Sequence, residues 1–101
     1  MSRTVIVLPE AEADIERAYD WYETQETGLG RDFVRAIRVA NRAIAEQPEI
    51  YPLRSDGVRR YLLTRFPYAM YHRYDEHAVH IIMVFHGSQH PDRLKARLRR
   101  I

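Results

Sequence analysis

The chain has no cysteine among its 101 residues. Disulfide bridges and thiolate metal sites are therefore excluded. A protein without disulfides fits a reducing compartment, so we expect it to work in the cytoplasm.

Long apolar runs are missing near the N-terminus, where residues 4–8 are followed by Pro9 and a series of acidic residues. About four apolar residues are too few for a secretion signal or a membrane span. Glycine-rich phosphate loops, internal repeats and low-complexity segments are also missing. A chain of this length with 46% hydrophobic residues suits one compact domain, 1–101, with a single modest core. We expect a soluble protein with no membrane partner.

Charge is unevenly distributed along the chain. Residues 1–50 hold 6 basic and 10 acidic side chains, whereas residues 51–101 hold 10 basic and 4 acidic ones and all 5 histidines. Fifteen of the 16 basic residues are arginine, which favours bidentate contact with phosphate or carboxylate groups. The second half therefore suits phosphates or an acidic partner segment. A solvated basic surface is the simpler alternative.

Two amphipathic helices are predicted in the first half, after a short β-branched strand at residues 4–8. Pro9 suits the first position of a helix, and the acidic residues after it suit the positive end of the helix dipole. Apolar residues recur every three or four positions along residues 10–26 and again after Gly30, and the second helix should end before Pro48. The short connection at Gly28 predicts an antiparallel helical hairpin.

A period of two in β-branched and aromatic residues predicts three strands in residues 59–86. They form a meander, with residues 79–85 as its innermost strand and residues 92–101 as a short basic helix after it. The fold class is therefore α+β, an antiparallel sheet with the hairpin of residues 10–47 packed on one face. The residues expected in this core are Ile15, Tyr22, Phe33, Ile37, Ile44, Ile81 and Met83.

An ordered set of short motifs runs through nearly the whole chain. Its members are Ala13-Asp14-Ile15, Tyr19-Asp20-Trp21-Tyr22-Glu23, Gly28-Leu29-Gly30 with Phe33, Pro48 with Tyr51-Pro52, Arg60, Arg65-Phe66-Pro67-Tyr68 with Tyr71, and His86 followed by Pro91. With the predicted order of elements, this set resembles the RelE/ParE superfamily of toxins from type II toxin-antitoxin systems. The closest resemblance is to its ParE-like, plasmid-stabilisation branch.

The resemblance implies a bacterial toxin that is held inactive by a cognate antitoxin encoded beside it. ParE-like members of the superfamily poison DNA gyrase, whereas RelE-like members cleave messenger RNA on the ribosome. Cleavage of RNA needs a base, an acid and cations around the phosphate. The candidates here are His86 as acid or base, with Arg60, Arg65 and Arg93 around the phosphate. The tail tyrosine typical of the ribonuclease branch is missing, because no tyrosine follows Tyr74. Gyrase inhibition without a catalytic residue is therefore the favoured activity, with the ribonuclease as the alternative.

Two arginine sets are the candidate binding residues. The basic tail, Arg93, Arg97, Arg99 and Arg100, is the candidate for target binding. The ridge Arg35, Arg38 and Arg42 on the second helix is the candidate for antitoxin binding, although such a ridge is also typical of a solvated helix face.

Metal binding and simple nucleic-acid binding are the remaining alternatives. The histidines His72, His80, His86 and His90 lack cysteine or carboxylate partners, so we expect no metal and no cofactor. A basic nucleic-acid-binding module without toxicity would explain the charge, but the sequence has no recognition helix or RNA-binding motif.

Overall fold

The computed structural model describes residues 2–100. Met1 and Ile101, the last residue of the helix predicted over residues 92–101, lie outside the described part. Four strands and three helices follow one another along the chain. They are β1 (Thr4–Val7), α1 (Pro9–Gln25), α2 (Leu29–Glu46), β2 (Arg59–Leu62), β3 (Tyr68–Tyr74), β4 (Ala78–His86) and α3 (Pro91–Arg99), with a 3-10 turn at Pro48–Ile50. None of the helices within residues 2–100 is long and apolar enough to cross a membrane.

The expected α+β architecture is confirmed, with a helical hairpin after the first strand and a meander of β2, β3 and β4. Pro9 opens α1, and Gly28 takes a left-handed conformation with φ of 91° between the two helices. The sheet order is β1-β4-β3-β2. The sheet is not wholly antiparallel, because β1 pairs with β4 in parallel. A parallel pair needs a long crossover, which the helical hairpin and the meander provide together.

The hairpin face of the sheet carries the larger core. Of the predicted core, Tyr22, Phe33, Ile37, Ile44 and Ile81 are buried there, whereas Ile15 is only partly buried. Met83 is also buried, but its predicted position under the hairpin is wrong, since it packs on the opposite face with Leu94 and Leu98 of α3.

A bulge in β4 explains why Met83 changes face. Tyr71 of β3 pairs with Met83, and the next residue, His72, pairs with Ile81, so Ile82 has no partner in β3. The extra residue shifts the alternation of side chains by one position. Ile82 and Met83 therefore both join the α3 side, and Val84 returns to the hairpin side.

Candidate functional site

The candidate site begins where β1 stops covering the edge of β4. The Leu8 N–H donates to the Ile81 carbonyl at 3.0 Å, and Pro9 then starts α1, so the last residues of β4 have no neighbouring strand on this side. Side chains accept hydrogen bonds from the backbone N–H groups that this end of β4 leaves without a strand partner. The Val84 N–H donates to Asp14 Oδ2 at 3.0 Å, and the His86 N–H donates to Gln89 Oε1 at 2.8 Å. Both contacts satisfy backbone donors that would otherwise lack a partner.

Asp14 joins three elements at this edge. It lies on α1, is 6% exposed, accepts the Val84 N–H of β4 and binds Arg97 of α3 at 2.8 Å. Arg17 donates to the same carboxylate at 2.6 Å, and Arg97 also lies 3.3 Å from Glu10. This network fixes α3 against α1. The role of Asp14 was not predicted from the sequence. Its charged side chain interrupts the buried stripe of α1 between Ala11 and Ala18, and this interruption was the sequence signal for such a role.

A cleft of about 610 Å³ lies between α1, the end of β4 and α3. Charged and aromatic side chains dominate its walls. The lining residues include Asp14, Arg17, Trp21, Tyr68, His86, Gln89, Arg93, Arg97 and Arg100.

His86 has a defined orientation in this cleft. Its Nδ1 accepts the Ser88 N–H at 2.9 Å and lies 2.7 Å from Ser88 Oγ, while its ring packs edge-on against Tyr68. A neutral imidazole that accepts at Nδ1 carries its proton on Nε2, so Nε2 is the donor of this ring. Burial raises the pKa of the Tyr68 hydroxyl, with smaller contributions from Tyr22 and Asp14, and the hydroxyl therefore stays protonated at neutral pH.

Three of the four tail arginines share the cleft with His86, namely Arg93, Arg97 and Arg100, whereas Arg99 does not line it. Arg97 is the least exposed of the ion-paired arginines in the cleft, with 16% of its side chain accessible. Its contacts with Asp14 and Glu10 give it a structural role in holding α3.

Two of the three arginines that a ribonuclease would need, Arg60 and Arg65, lie elsewhere, whereas Arg93 lines the cleft. Arg60 borders a separate depression beside Tyr51 and Leu62. Arg65 lies 3.5 Å from Asp32 and 5.4 Å from the centre of the Phe66 ring. Neither residue lines the cleft that contains His86.

The predicted ridge on α2 is exposed. Arg35 makes a long ion pair with Asp32 at 3.5 Å, and within residues 2–100 neither Arg38 nor Arg42 has an ion-pair partner. Val39 lies on the same side of the helix and is 61% exposed. The ridge therefore combines positive charge with an uncovered apolar side chain.

The histidines are dispersed. His72 is fully buried on β3, where its Nε2 lies 3.2 Å from the Pro48 carbonyl. In the part of the chain that the structure describes, no group of three or more histidine, aspartate or glutamate side chains is arranged to hold a metal ion.

Comparison with known proteins agrees with this architecture. The family model described as ParE toxin of type II toxin-antitoxin system, parDE, matches residues 5–91. A solved structure described as the chromosomal ParDE TA system from P. aeruginosa contains a chain that superposes with a TM-score of 0.74 at 19% sequence identity. The match covers 84% of this chain and 96% of that one, which at this identity shows a shared fold. No curated protein sequence matches the chain significantly. Since the family model spans most of the sequence, the chain belongs to the ParE toxin family of type II toxin-antitoxin systems.

Proposed function

We propose that this ParE-family toxin inhibits DNA gyrase and that a cognate antitoxin, encoded beside it, neutralises the inhibition. The observation that carries the proposal is the family match over residues 5–91, because the ParE-like branch acts on gyrase. The arrangement of side chains gives further support. His86 shares its cleft with Arg93, while Arg60 and Arg65 lie outside it, so two of the three arginines expected around the phosphate in a ribonuclease are absent from the surroundings of the imidazole.

In this proposal the basic tail contacts the target. Arg93, Arg99 and Arg100 are exposed on or just after α3 and are able to reach gyrase or the DNA that gyrase holds. Arg97 supports them by fixing the helix through Asp14 and Glu10. Docking to a charged surface spreads its free energy over several side chains, each contributing about 1 kcal/mol.

The test compares two variants of the purified toxin in a gyrase supercoiling assay. One variant replaces Arg93, Arg99 and Arg100 by glutamine and keeps Arg97, so that α3 stays docked. The other is His86→Asn, because the Asn side-chain oxygen is able to accept the Ser88 N–H in place of Nδ1. Wild-type toxin should block supercoiling or trap cleaved DNA, the tail variant should lose most of this effect, and His86→Asn should keep it.

The opposite pattern would support messenger RNA cleavage instead. A catalytic acid or base contributes about 10²- to 10⁴-fold on its own. If His86→Asn alone abolishes toxicity in a folded protein, and transcripts from intoxicated cells carry new cuts within codons, gyrase is not the target.

Neutralisation is proposed to use the α2 ridge. Arg35, Arg38 and Arg42 surround the exposed Val39, a pattern that suits an acidic amphipathic segment of an antitoxin. Toxin and antitoxin should purify together, and the double charge reversal Arg38→Glu with Arg42→Glu should weaken the complex. Arg73→Glu, an exposed change on β3, is the matched control. Equal affinity for the two variants would remove α2 from the interface.

A further inference from the structure

The cleft between α1 and α3 presents hydrogen-bond donors almost without acceptors. Among residues 2–100, Asp14 is the one carboxylate that lines the cleft, and its oxygens already accept from the Val84 N–H, Arg17 and Arg97. Gln89 uses its Oε1 on the His86 N–H, which leaves its NH₂ group to donate. His86 lines the same cleft and has its Nε2–H as a further donor, so the wall suits a ligand that accepts hydrogen bonds.

The charge of the cleft also favours an anion. Four arginines line it, Arg17, Arg93, Arg97 and Arg100, against Asp14 inside and Glu10 at its margin. Arg93 is exposed and makes no ion pair within residues 2–100. Its guanidinium is therefore available for bidentate contact with an oxyanion such as a phosphate.

An aromatic surface lies beside these donors. Trp21, the one tryptophan of the chain, lines the cleft and is 56% exposed. Its contact with Tyr22 is edge-to-face, with ring centres 5.0 Å apart, which leaves at least one indole face uncovered by Tyr22. An exposed indole in the same cleft as arginine and imidazole donors has the composition of a platform for an unstacked base.

We propose that this cleft binds single-stranded nucleic acid, with one phosphate held by Arg93, His86 Nε2 and Gln89 and one base stacked on Trp21. An acidic protein segment would also satisfy the arginines, but it gives no reason for an exposed indole at the same opening. Duplex DNA keeps its bases stacked and does not offer a base face to Trp21. The inference goes beyond gyrase inhibition and does not depend on it, because it concerns binding by the toxin alone.

The test is a binding titration without gyrase. A labelled oligothymidylate of about ten nucleotides is followed by anisotropy, and its unlabelled form by quenching of the Trp21 emission. Oligouridylate forms a second arm that separates DNA from RNA. Binding should be saturable, should quench the tryptophan and should weaken steeply between about 50 and 200 mM salt.

Three variants locate the site. Arg93→Gln should weaken binding roughly tenfold and lower the salt slope by about one, and Trp21→Ala should weaken binding at least about fivefold. Lys95→Gln is the matched control, because Lys95 is exposed on the same helix but does not line the cleft. Thermal unfolding of each variant checks the fold.

Several outcomes would overturn the proposal. Absence of binding at low salt, or equal losses for Arg93→Gln and Lys95→Gln, would show that the cleft is not a nucleic-acid site. Equal or tighter binding of an oligoglutamate peptide would assign the cleft to an acidic protein partner. Gyrase inhibition that persists without oligonucleotide binding would overturn this inference and leave the proposed function intact.

Discussion

At the level of single residues, the carboxylate of Asp14 has two arginine partners that differ greatly in exposure. Arg97 has 16% of its side chain accessible and Arg17 has 71%. Coulomb attraction to a buried group is weakly screened, whereas an exposed arginine is surrounded by water and ions. The ion pair with Arg97 therefore contributes more to the stability of the fold than the ion pair with Arg17, although both arginines bind the same carboxylate.

Replacement of these arginines by methionine should show the difference. Arg97→Met should lower the free energy of unfolding by about 3 kcal/mol, because it removes the main partner of a buried charge. Arg17→Met should cost less than about 1 kcal/mol. Urea unfolding of both proteins measures the two losses. Equal losses would mean that Asp14 does not hold α3 through Arg97.

His72 gives a second prediction at this scale, because its ring is fully buried on β3. Burial lowers the pKa of the imidazole, the nearby charge of Arg59 lowers it further, and the hydrogen bond to the Pro48 carbonyl opposes both effects. Tyr51 also packs near the ring. The folded protein therefore holds His72 neutral below the pH at which an exposed histidine gains its proton.

Stability should consequently fall as the pH drops below about 6.5, because the unfolded chain then binds a proton that the folded chain does not. The loss grows by up to about 1.4 kcal/mol per pH unit and stops once the folded ring is protonated. Unfolding of wild type and His72→Phe between about pH 7 and pH 5 measures it. Carboxylates titrate in both proteins, so parallel curves would show that His72 contributes nothing.

At the level of elements, the helical hairpin depends on close contact at Gly30. A Cβ at this position would lie 2.6 Å from Glu23 Cγ and 2.7 Å from the Tyr19 carbonyl oxygen. The backbone oxygen is unable to move without displacing α1. Glu23 also accepts the N–H groups of Gly28 and Gly30 at 2.9 and 2.8 Å, which holds the start of α2 against α1.

Gly30→Ala should therefore lower the free energy of unfolding by about 1 to 3 kcal/mol through overpacking. Gly87→Ala is a suitable control, since its nearest neighbour would be the Pro67 carbonyl oxygen at an ordinary 3.5 Å. We expect a change within about 0.5 kcal/mol for this control. A Gly30→Ala protein as stable as wild type would show that the helices separate at little cost.

At the level of the whole molecule, the sheet has a core on each face. The hairpin covers one face, and α3 covers part of the other through Leu94 and Leu98. A helix of 9 residues is marginal alone, so the burial of these leucines and the contact between Arg97 and Asp14 stabilise it together. The positions of α1 and α3, which form walls of the cleft, therefore depend on the packing of both cores.

Cavity formation under the hairpin should affect the entire domain. Ile37 and Ile81 are 4% and 0% exposed, and replacing either by alanine should cost about 2 to 5 kcal/mol. Leu62→Ala, at a side chain that is 61% exposed, is the control and should cost far less. Chemical denaturation measures all three. A loss under about 0.5 kcal/mol at both isoleucines would mean that the core is assigned to the wrong residues.

The sequence by itself determined the elements and their class. Pro9, Gly28 and Pro48 mark helix boundaries through local backbone chemistry, and the apolar periods depend only on neighbouring residues. The ordered motifs were enough to indicate the ParE-like family, which the match over residues 5–91 confirms. These features were predictable because each is encoded within a few consecutive positions.

Only the tertiary structure decided which elements pair and what surrounds the cleft. Strict alternation placed Met83 under the hairpin, but the bulge at Ile82 moved it to the other face. Because β1 pairs with β4 only as far as Ile81, the Val84 N–H donates to Asp14, which lies 70 residues away in the sequence. Asp14 also binds Arg97, from which it is separated by 83 positions. Contacts over such separations depend on how the layers pack, and local sequence periods do not contain that information.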